Sequence, residues 1–270
     1  MEPTSPSPPA ATPSAGPIRL VLLHFLGGSA REWGEVARRL GNGVRTLAID
    51  LPGFGAAAGQ PGHGIAEMAD HLSGIIAAQP GGRWVLVGHS MGAKLAMVLA
   101  RRALDGEVGL EGLAGLVLMA GSPPSPEPMA EERRREMLGW FQGPPEECRA
   151  QAARFIDSNA VTLPPGLRDL AIEDVLRANP DAWRHWLQSG SREDWGRRVA
   201  ILRCPALILA GAEDADLGPA AQRRLMAPHL PASRLEVLPG MRHLLPLEGP
   251  DRVAALMRDF LAGNGLLHDG

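Results

Sequence analysis

Short apolar runs alternate along the chain with longer segments whose hydrophobic positions recur every three to four residues. The runs occupy residues 18–24 (IRLVLLH), 44–50 (VRTLAID), 83–89 (RWVLVGH), 113–119 (LAGLVLM), 205–211 (PALILAG) and 234–238 (RLEVL). Taken as runs without sustained polar alternation, they predict strands buried on both faces of a parallel sheet. Helical spacing fills the stretches near 31–40, 64–79, 91–104, 219–228 and 250–262. Strand followed by helix, repeated, predicts an α/β fold with a mostly parallel central sheet flanked by helices.

The alternation stops between about 122 and 200. That stretch opens on the proline cluster SPPSPEP (122–128), continues through the charged EERRRE (131–136), and carries helical segments with Trp140, Trp183, Trp186 and Trp195. A helical insertion between two strands of a parallel sheet is expected above the carboxyl ends of the strands, where such sheets bind ligands. The reading is a helical lid at 122–200, inserted into a core formed by 18–121 and 201–264. The first 17 residues hold six prolines and are expected to form a disordered tail.

Composition narrows the function. The 270 residues are 45% hydrophobic and 21% charged, enough apolar material for a full globular core. With 27 basic against 30 acidic side chains the net charge is −3, so nothing favours nucleic acid or an anionic membrane. Cys148 and Cys204 make neither a disulfide framework nor a zinc or redox spacing, which suits a reducing cytoplasm. No apolar run approaches the roughly 18 residues of a membrane span. No metal-ligand spacing and no cofactor motif are present, so neither a metal nor a cofactor is expected. Oligomeric state stays open.

The sharpest local signal is Gly88-His89-Ser90-Met91-Gly92, between the run RWVLV and the helical pattern MGAKLAMVLARRAL. A strand that turns abruptly into a helix at Ser90 forces that residue into a strained conformation. Side chains two positions before and after would collide, hence the glycines at 88 and 92. The hydroxyl then stands above the sheet. A serine hydroxyl is a weak nucleophile near neutral pH and needs a base within hydrogen-bond reach and a carboxylate to orient that base. Two strand ends offer them: Gly211-Ala212-Glu213-Asp214 after PALILAG, and Pro239-Gly240-Met241-Arg242-His243 after RLEVL.

Five motifs together carry a family resemblance. They are LLHFLGGSAREW (22–33), AIDLPGFG (48–55), VGHSMGAK (87–94), LILAGAEDAD (207–216) and LPGMRHLLPLEGP (238–250). In their order and approximate spacing the chain resembles the α/β-hydrolase superfamily from about residue 18 to 262. GHSMGAK is similar to the elbow of small lid-bearing carboxylesterases and thioesterases, which also carry lysine at the place of Lys94. The resemblance implies a nucleophile elbow at Ser90, with the acid and then the histidine later in the chain. Asp214 and His243 fit that order; Glu213 and Asp216 compete with Asp214, and loop spacing does not separate the three. It also implies an oxyanion hole of two backbone N–H groups, from Met91 directly after the nucleophile and from the loop His24–Ser29, with Leu26 as the choice. The family usually has glycine directly after the loop histidine, where this chain has Phe25.

The implied function is a serine hydrolase that cleaves a small-molecule ester or thioester through an acyl-enzyme. Carbon–carbon bond hydrolysis, a lyase step without an acyl-enzyme and cofactor-free perhydrolysis share the same residues and stay as alternatives. A non-catalytic ligand-binding protein on this scaffold is a further reading. The dehalogenase and epoxide-hydrolase branches use aspartate at the elbow, so Ser90 argues against them. Other residues read as structural: Asp50 as part of a loop, His24 as a brace for its own loop, and His89 as an elbow residue acting through its backbone. Lys94 reads as a packing or salt-bridge residue and EERRRE as an exposed helix face. The tryptophans of 122–200 read mainly as helix packing. His63, His71, His185 and His229 have no matched partner.

Overall fold

The computed structural model describes residues 18–267, so the proline-rich tail expected at 1–17 lies outside the described residues. Six strands form one sheet: β1 (Arg19–Leu23), β2 (Arg45–Ile49), β3 (Trp84–His89), β4 (Leu113–Met119), β5 (Ala206–Gly211) and β6 (Ser233–Leu238). Their order is β2-β1-β3-β4-β5-β6 and every pairing is parallel. The central strands β3 and β5 are buried throughout, as apolar runs without alternation require. β2 and β6 depart from that expectation. They are the two edges of the sheet, with a neighbour on one side only, and most of their residues stay part-exposed.

Alternate residues of each strand enter two different cores. Leu23, Leu86 and Leu118 join the layer made by α2 (Ile65–Ala77) and α3 (Met91–Leu104). Leu22, Val87 and Val117 join the layer made by α1 (Gly34–Leu40) and α11 (Pro250–Gly263). Between β4 and β5 run α4 (Glu131–Leu138), α5 (Pro145–Asn159), α6 (Pro165–Arg177), α7 (Pro180–Gln188) and α8 (Gly196–Val199), with no strand among them. Proline opens α5, α6 and α7, where its missing N–H costs nothing and its fixed φ suits a first turn. The buried side chains of this insertion, among them Met137, Phe155, Trp183 and Trp186, belong to the same core as α2 and α3.

Two helical stretches are less regular than their spacing suggests. Residues 31–40 divide into a 3-10 turn, Ala30–Trp33, and α1; Ser29 opens the turn by accepting the Arg31 N–H at 3.1 Å. Residues 219–228 divide into α9 (Pro219–Ala221), a wide π turn (Gln222–Met226) and a 3-10 turn (Ala227–His229). Pro228 has no N–H to continue a helix, and the buried Gln222 amide donates to the carbonyls of Gly121 and Leu217. A short α10 (Leu245–Glu248) precedes α11. Among the described residues no helix is long and apolar enough to cross a membrane.

The strand order places the site. From β1 the chain steps outward to β2 and then returns past β1 to β3. The connections leaving the carboxyl ends of β1 and β3 therefore diverge and leave a crevice between them. The loop His24–Ser29 follows β1 and Ser90 follows β3, so both border that crevice.

Candidate active site

Ser90 sits between the last residue of β3 and the first of α3, with φ +52 and ψ −114, a conformation that side-chain-bearing residues rarely adopt. Its N–H donates to the Met119 carbonyl of the neighbouring strand at 2.9 Å. The flanking glycines have a steric cause. A Cβ on Gly88 would lie 2.5 Å from the Gly92 carbonyl oxygen, and one on Gly92 would lie 2.4 Å from the Leu23 carbonyl oxygen. The two glycines let α3 start directly against β1 and β3, and the turn lifts the Ser90 side chain into the crevice.

His243, between β6 and α10, reaches Ser90: Nε2 lies 2.9 Å from Ser90 Oγ, and Nδ1 lies 2.8 Å from Asp214 Oδ2. The other Asp214 oxygen accepts the N–H groups of Asp216 and Leu217, both at 3.0 Å. Of the three acids considered, Asp214 is buried and faces the imidazole, whereas Glu213 and Asp216 are exposed. The His243 main chain is itself held, because the Asn159 carbonyl at the end of α5 accepts the N–H groups of both His243 and Leu244.

Electrostatics follow from this contact. Burial opposes the charged imidazolium of His243, but the facing Asp214 carboxylate and its hydrogen bond outweigh it and raise the histidine above its ordinary value. The converse holds for Asp214. Burial pushes its carboxyl up, yet the His243 charge and the hydrogen bonds from His243, Leu217 and Asp216 hold it below the usual carboxylate range. A resting hydroxyl, an imidazole and an ionised carboxylate in line can move a proton from the serine to the histidine.

Leu26 lines the cavity beside Ser90, and Met91, directly after Ser90, is buried in the core. The Gly28 N–H donates to the Phe25 carbonyl at 3.0 Å, closing a tight turn through Leu26 and Gly27, with Gly27 at φ +80. The Phe25 ring, at a place the family usually gives to glycine, lies 5.3 Å from the His89 ring and 6.5 Å from the Phe155 ring, centroid to centroid. It fills the space under its own loop: a Cβ on Gly28 would stand 2.7 Å from that ring. The cavity beside Ser90 is about 50 Å³ and is walled by Phe25, Leu26, Met137, Phe155 and Trp186, with Glu127, Arg133, Asp214 and Asp216 as its charged lining.

The neighbouring residues settle several expectations. Asp50 accepts the Ala30 and Ala56 N–H groups at 2.7 and 2.8 Å and holds two loops together. His24 Nδ1–H donates to the Phe25 carbonyl at 2.7 Å while Nε2 accepts the Leu51 N–H at 3.0 Å, so it braces its loop as a neutral ring. Of the two roles read for Lys94, packing or a salt bridge, the structure has the first. Lys94 is buried and donates to the carbonyls of Gly190 and Glu193, each at 3.1 Å, and burial lowers it to about 8. EERRRE is not uniformly exposed either: Arg134 turns inward and donates to the Leu187 carbonyl and to Ser191 Oγ. Trp186 lines the cavity, whereas Trp183 packs over Gly27 and stacks on Trp140.

Two residues escaped the sequence reading. His89 acts through its side chain as well as its backbone, with Nε2 2.8 Å from the His243 carbonyl oxygen and Nδ1 3.2 Å from Glu32 Oε1. Glu32 is buried beneath the β1 loop, and the only signal was an acidic residue directly before Trp33 in an otherwise core-forming stretch.

Comparison with known proteins agrees with the fold. A model of the alpha/beta hydrolase family matches residues 20–256. A 2-succinyl-6-hydroxy-2,4-cyclohexadiene-1-carboxylate synthase of Salmonella enteritidis PT4 is 35% identical over 212 residues, 68% of this chain and 81% of that protein. A pimeloyl-[acyl-carrier protein] methyl ester esterase of Neisseria meningitidis is 26% identical over 248 residues, 91% of this chain and 94% of that protein. Among solved structures, a thermophilic esterase from Thermogutta terrifontis superposes with a TM-score of 0.75 at 28% identity, covering 92% of this chain and 90% of that one. With its family match spanning most of the sequence, this chain belongs to the alpha/beta hydrolase family.

Proposed function

We propose that the protein is a serine hydrolase of small carboxylic esters or thioesters, with Ser90 as nucleophile, His243 as general base and acid, and Asp214 as the residue that orients the imidazole. The supporting observation is the continuous hydrogen-bonded line from Ser90 Oγ through His243 to Asp214 at 2.9 and 2.8 Å, bordering a small cavity. Ser90 Oγ attacks the substrate carbonyl carbon as its proton passes to His243 Nε2. The carbonyl π pair moves to oxygen, where the N–H groups of Leu26 and Met91 receive the negative charge. Collapse of the tetrahedral intermediate breaks the bond to the alcohol or thiol, which leaves with the proton from His243. Water, deprotonated by the same imidazole, then attacks the acyl-Ser90 ester, and the acid and free serine result. The helices between β4 and β5 act as a lid whose Met137, Phe155 and Trp186 shape the acyl pocket.

The synthase relative supports a second reading, a lyase step in which the same imidazole abstracts a proton and no acyl-enzyme forms. That relative's named product bears a carboxylate. Here the cavity is lined by the carboxyls of Glu127, Asp214 and Asp216 with Arg133 as the lining guanidinium, which favours a neutral ester. Turnover of p-nitrophenyl acetate by wild type and Ser90→Ala tests the hydrolase reading. The variant is expected to lose on the order of 10⁶ in kcat, with an acetylated Ser90 peptide trapped from wild type by acid quench. A variant within tenfold of wild type overturns it.

A further inference from the structure

Behind the catalytic line lies a second one that the proposed chemistry does not use. His89 and Glu32 are both fully enclosed, at 0% and 1% exposure, and they meet between the β1 loop and the His243 loop. The His243 carbonyl oxygen can only accept, so the 2.8 Å contact places the proton of His89 on Nε2. Nδ1 then faces Glu32 Oε1 at 3.2 Å, and the shared proton admits two arrangements: imidazolium with carboxylate, or neutral imidazole with carboxylic acid.

The surroundings decide between them. Glu32 Oε2 is buried without a hydrogen-bond partner, and an ionised carboxylate needs donors at both oxygens. The rings of Phe25, Trp33 and His243 pack around His89, which exposes no surface to solvent. Burial drives the two groups in opposite senses, the carboxyl of Glu32 well up despite the opposing Phe25 backbone N–H, and His89 down to about 3; both changes favour the neutral pair. Neutrality also matters to the reaction. The His89 ring lies 5.5 Å from the His243 ring, and a permanent charge there would oppose the imidazolium that His243 becomes.

We propose that Glu32 is a buried carboxylic acid, protonated at neutral pH, that positions His243 from behind. Its O–H donates to His89 Nδ1, and His89 Nε2–H donates to the His243 main-chain carbonyl. The relay fixes the tautomer of His89 and, through it, the height of the His243 loop above Ser90. Glu32 and His89 are positioning residues: neither touches the reacting atoms. A Cβ on Gly28 would come 3.0 Å from Glu32 Oε2, so the same carboxyl also supports the floor of the β1 loop.

The inference rests on His243 as the base, and its test has one arm that does not. Infrared difference spectra between wild type and Glu32→Gln are expected to show a protonated carboxyl band lost in the variant, and ¹⁵N spectra to show His89 Nδ1 unprotonated; neither requires turnover. In the kinetic arm, Glu32→Gln keeps a donor opposite Nδ1 and is expected to hold kcat within about threefold of wild type. Glu32→Leu leaves Nδ1 without a donor, frees the ring to exchange tautomers, and is expected to lower kcat about tenfold or more with KM within about twofold. Absence of the carboxyl band, or Glu32→Gln as damaging as Glu32→Leu, overturns the neutral relay. Both variants matching wild type overturns the positioning role. Should Glu32→Leu fail to fold, the spectra and Glu32→Gln still decide the matter.

Discussion

Replacing Gly88 by alanine adds one methyl group where α3 packs directly against β3. Its Cβ would stand 2.5 Å from the Gly92 carbonyl oxygen, 2.6 Å from Ala93 Cα and 2.7 Å from the Ala93 nitrogen. All three are main-chain atoms of the first turn of α3, so no side chain can rotate aside. The clash is relieved only by separating α3 from β3, and Ser90 is the residue that joins them. Overpacking of this kind costs about 1–3 kcal/mol, and a displacement of the nucleophile by about 1 Å costs about 10² in rate. Gly74 gives the matched control. It lies exposed within α2 with nothing within 4 Å of a built Cβ, so Gly74→Ala is expected to gain about 0.5–1 kcal/mol from helix propensity. Urea unfolding and p-nitrophenyl acetate turnover, measured on both variants, should therefore move in opposite directions for stability, with rate lost only at residue 88. Gly88→Ala with wild-type midpoint and wild-type turnover would refute the steric account of the elbow.

Asp214→Asn is expected to lower kcat by about 10⁴, because the amide no longer selects the tautomer that accepts the Ser90 proton. The same substitution removes the charge that raises His243, so the acidic limb of kcat/KM, above the histidine reference of 6.5 in wild type, should move down; an unmoved limb assigns that titration to another group. The cavity beside Ser90, about 50 Å³, is a third of the roughly 150 Å³ that holds benzene in an engineered core. Wild type should accordingly cleave p-nitrophenyl acetate well ahead of the octanoate, and Met137→Ala should narrow the gap while losing about 2–5 kcal/mol of stability. Equal wild-type rates on the two esters would remove the size argument. Ser29→Ala deletes the hydroxyl that donates to the buried Asp174 carboxylate at 2.7 Å and caps the turn at Ala30, and urea unfolding should show a loss of about 1–3 kcal/mol.

How far the site could be read in advance depends on what each residue's role requires. The sheet was legible because fully buried strands leave unbroken apolar runs, and it was over-read at β2 and β6, where edge position changes burial without changing composition much. Ser90 was legible because steric closure demands glycine at both 88 and 92 within five residues. The acid reads as Asp214, with Glu213 and Asp216 as competitors that differ from it only in loop path; the turn that lets Asp214 accept two of its own following amides exists only in three dimensions. Arg134 shows the same limit. Read as one of six charges on a helix it belongs to solvent, yet its neighbours in space are the Leu187 carbonyl and Ser191, more than fifty positions on. Glu32 and His89, 57 residues apart, carry no spacing that would have paired them.

Three histidines, His24 and His89 buried and His243 largely so, make the physical basis of the proposed chemistry visible. His24, His89 and His243 all lose water, and loss of water alone pushes every imidazole toward the neutral form. His24 meets a carbonyl and an amide, and falls to about 4. His89 meets a carbonyl and the carboxyl of Glu32, and falls to about 3. His243 alone faces a carboxylate whose other oxygen is held ionised by two backbone amides, and it alone rises. The base is thus set apart by the state of its partner rather than by its own burial. Asp214 stays charged because Asp216 and Leu217 supply donors; Glu32 Oε2 has no such partner, and burial favours its neutral acid. Two acid–imidazole contacts a few ångströms apart therefore take opposite proton assignments, one suited to accept a proton from Ser90 and the other to hold still while it does.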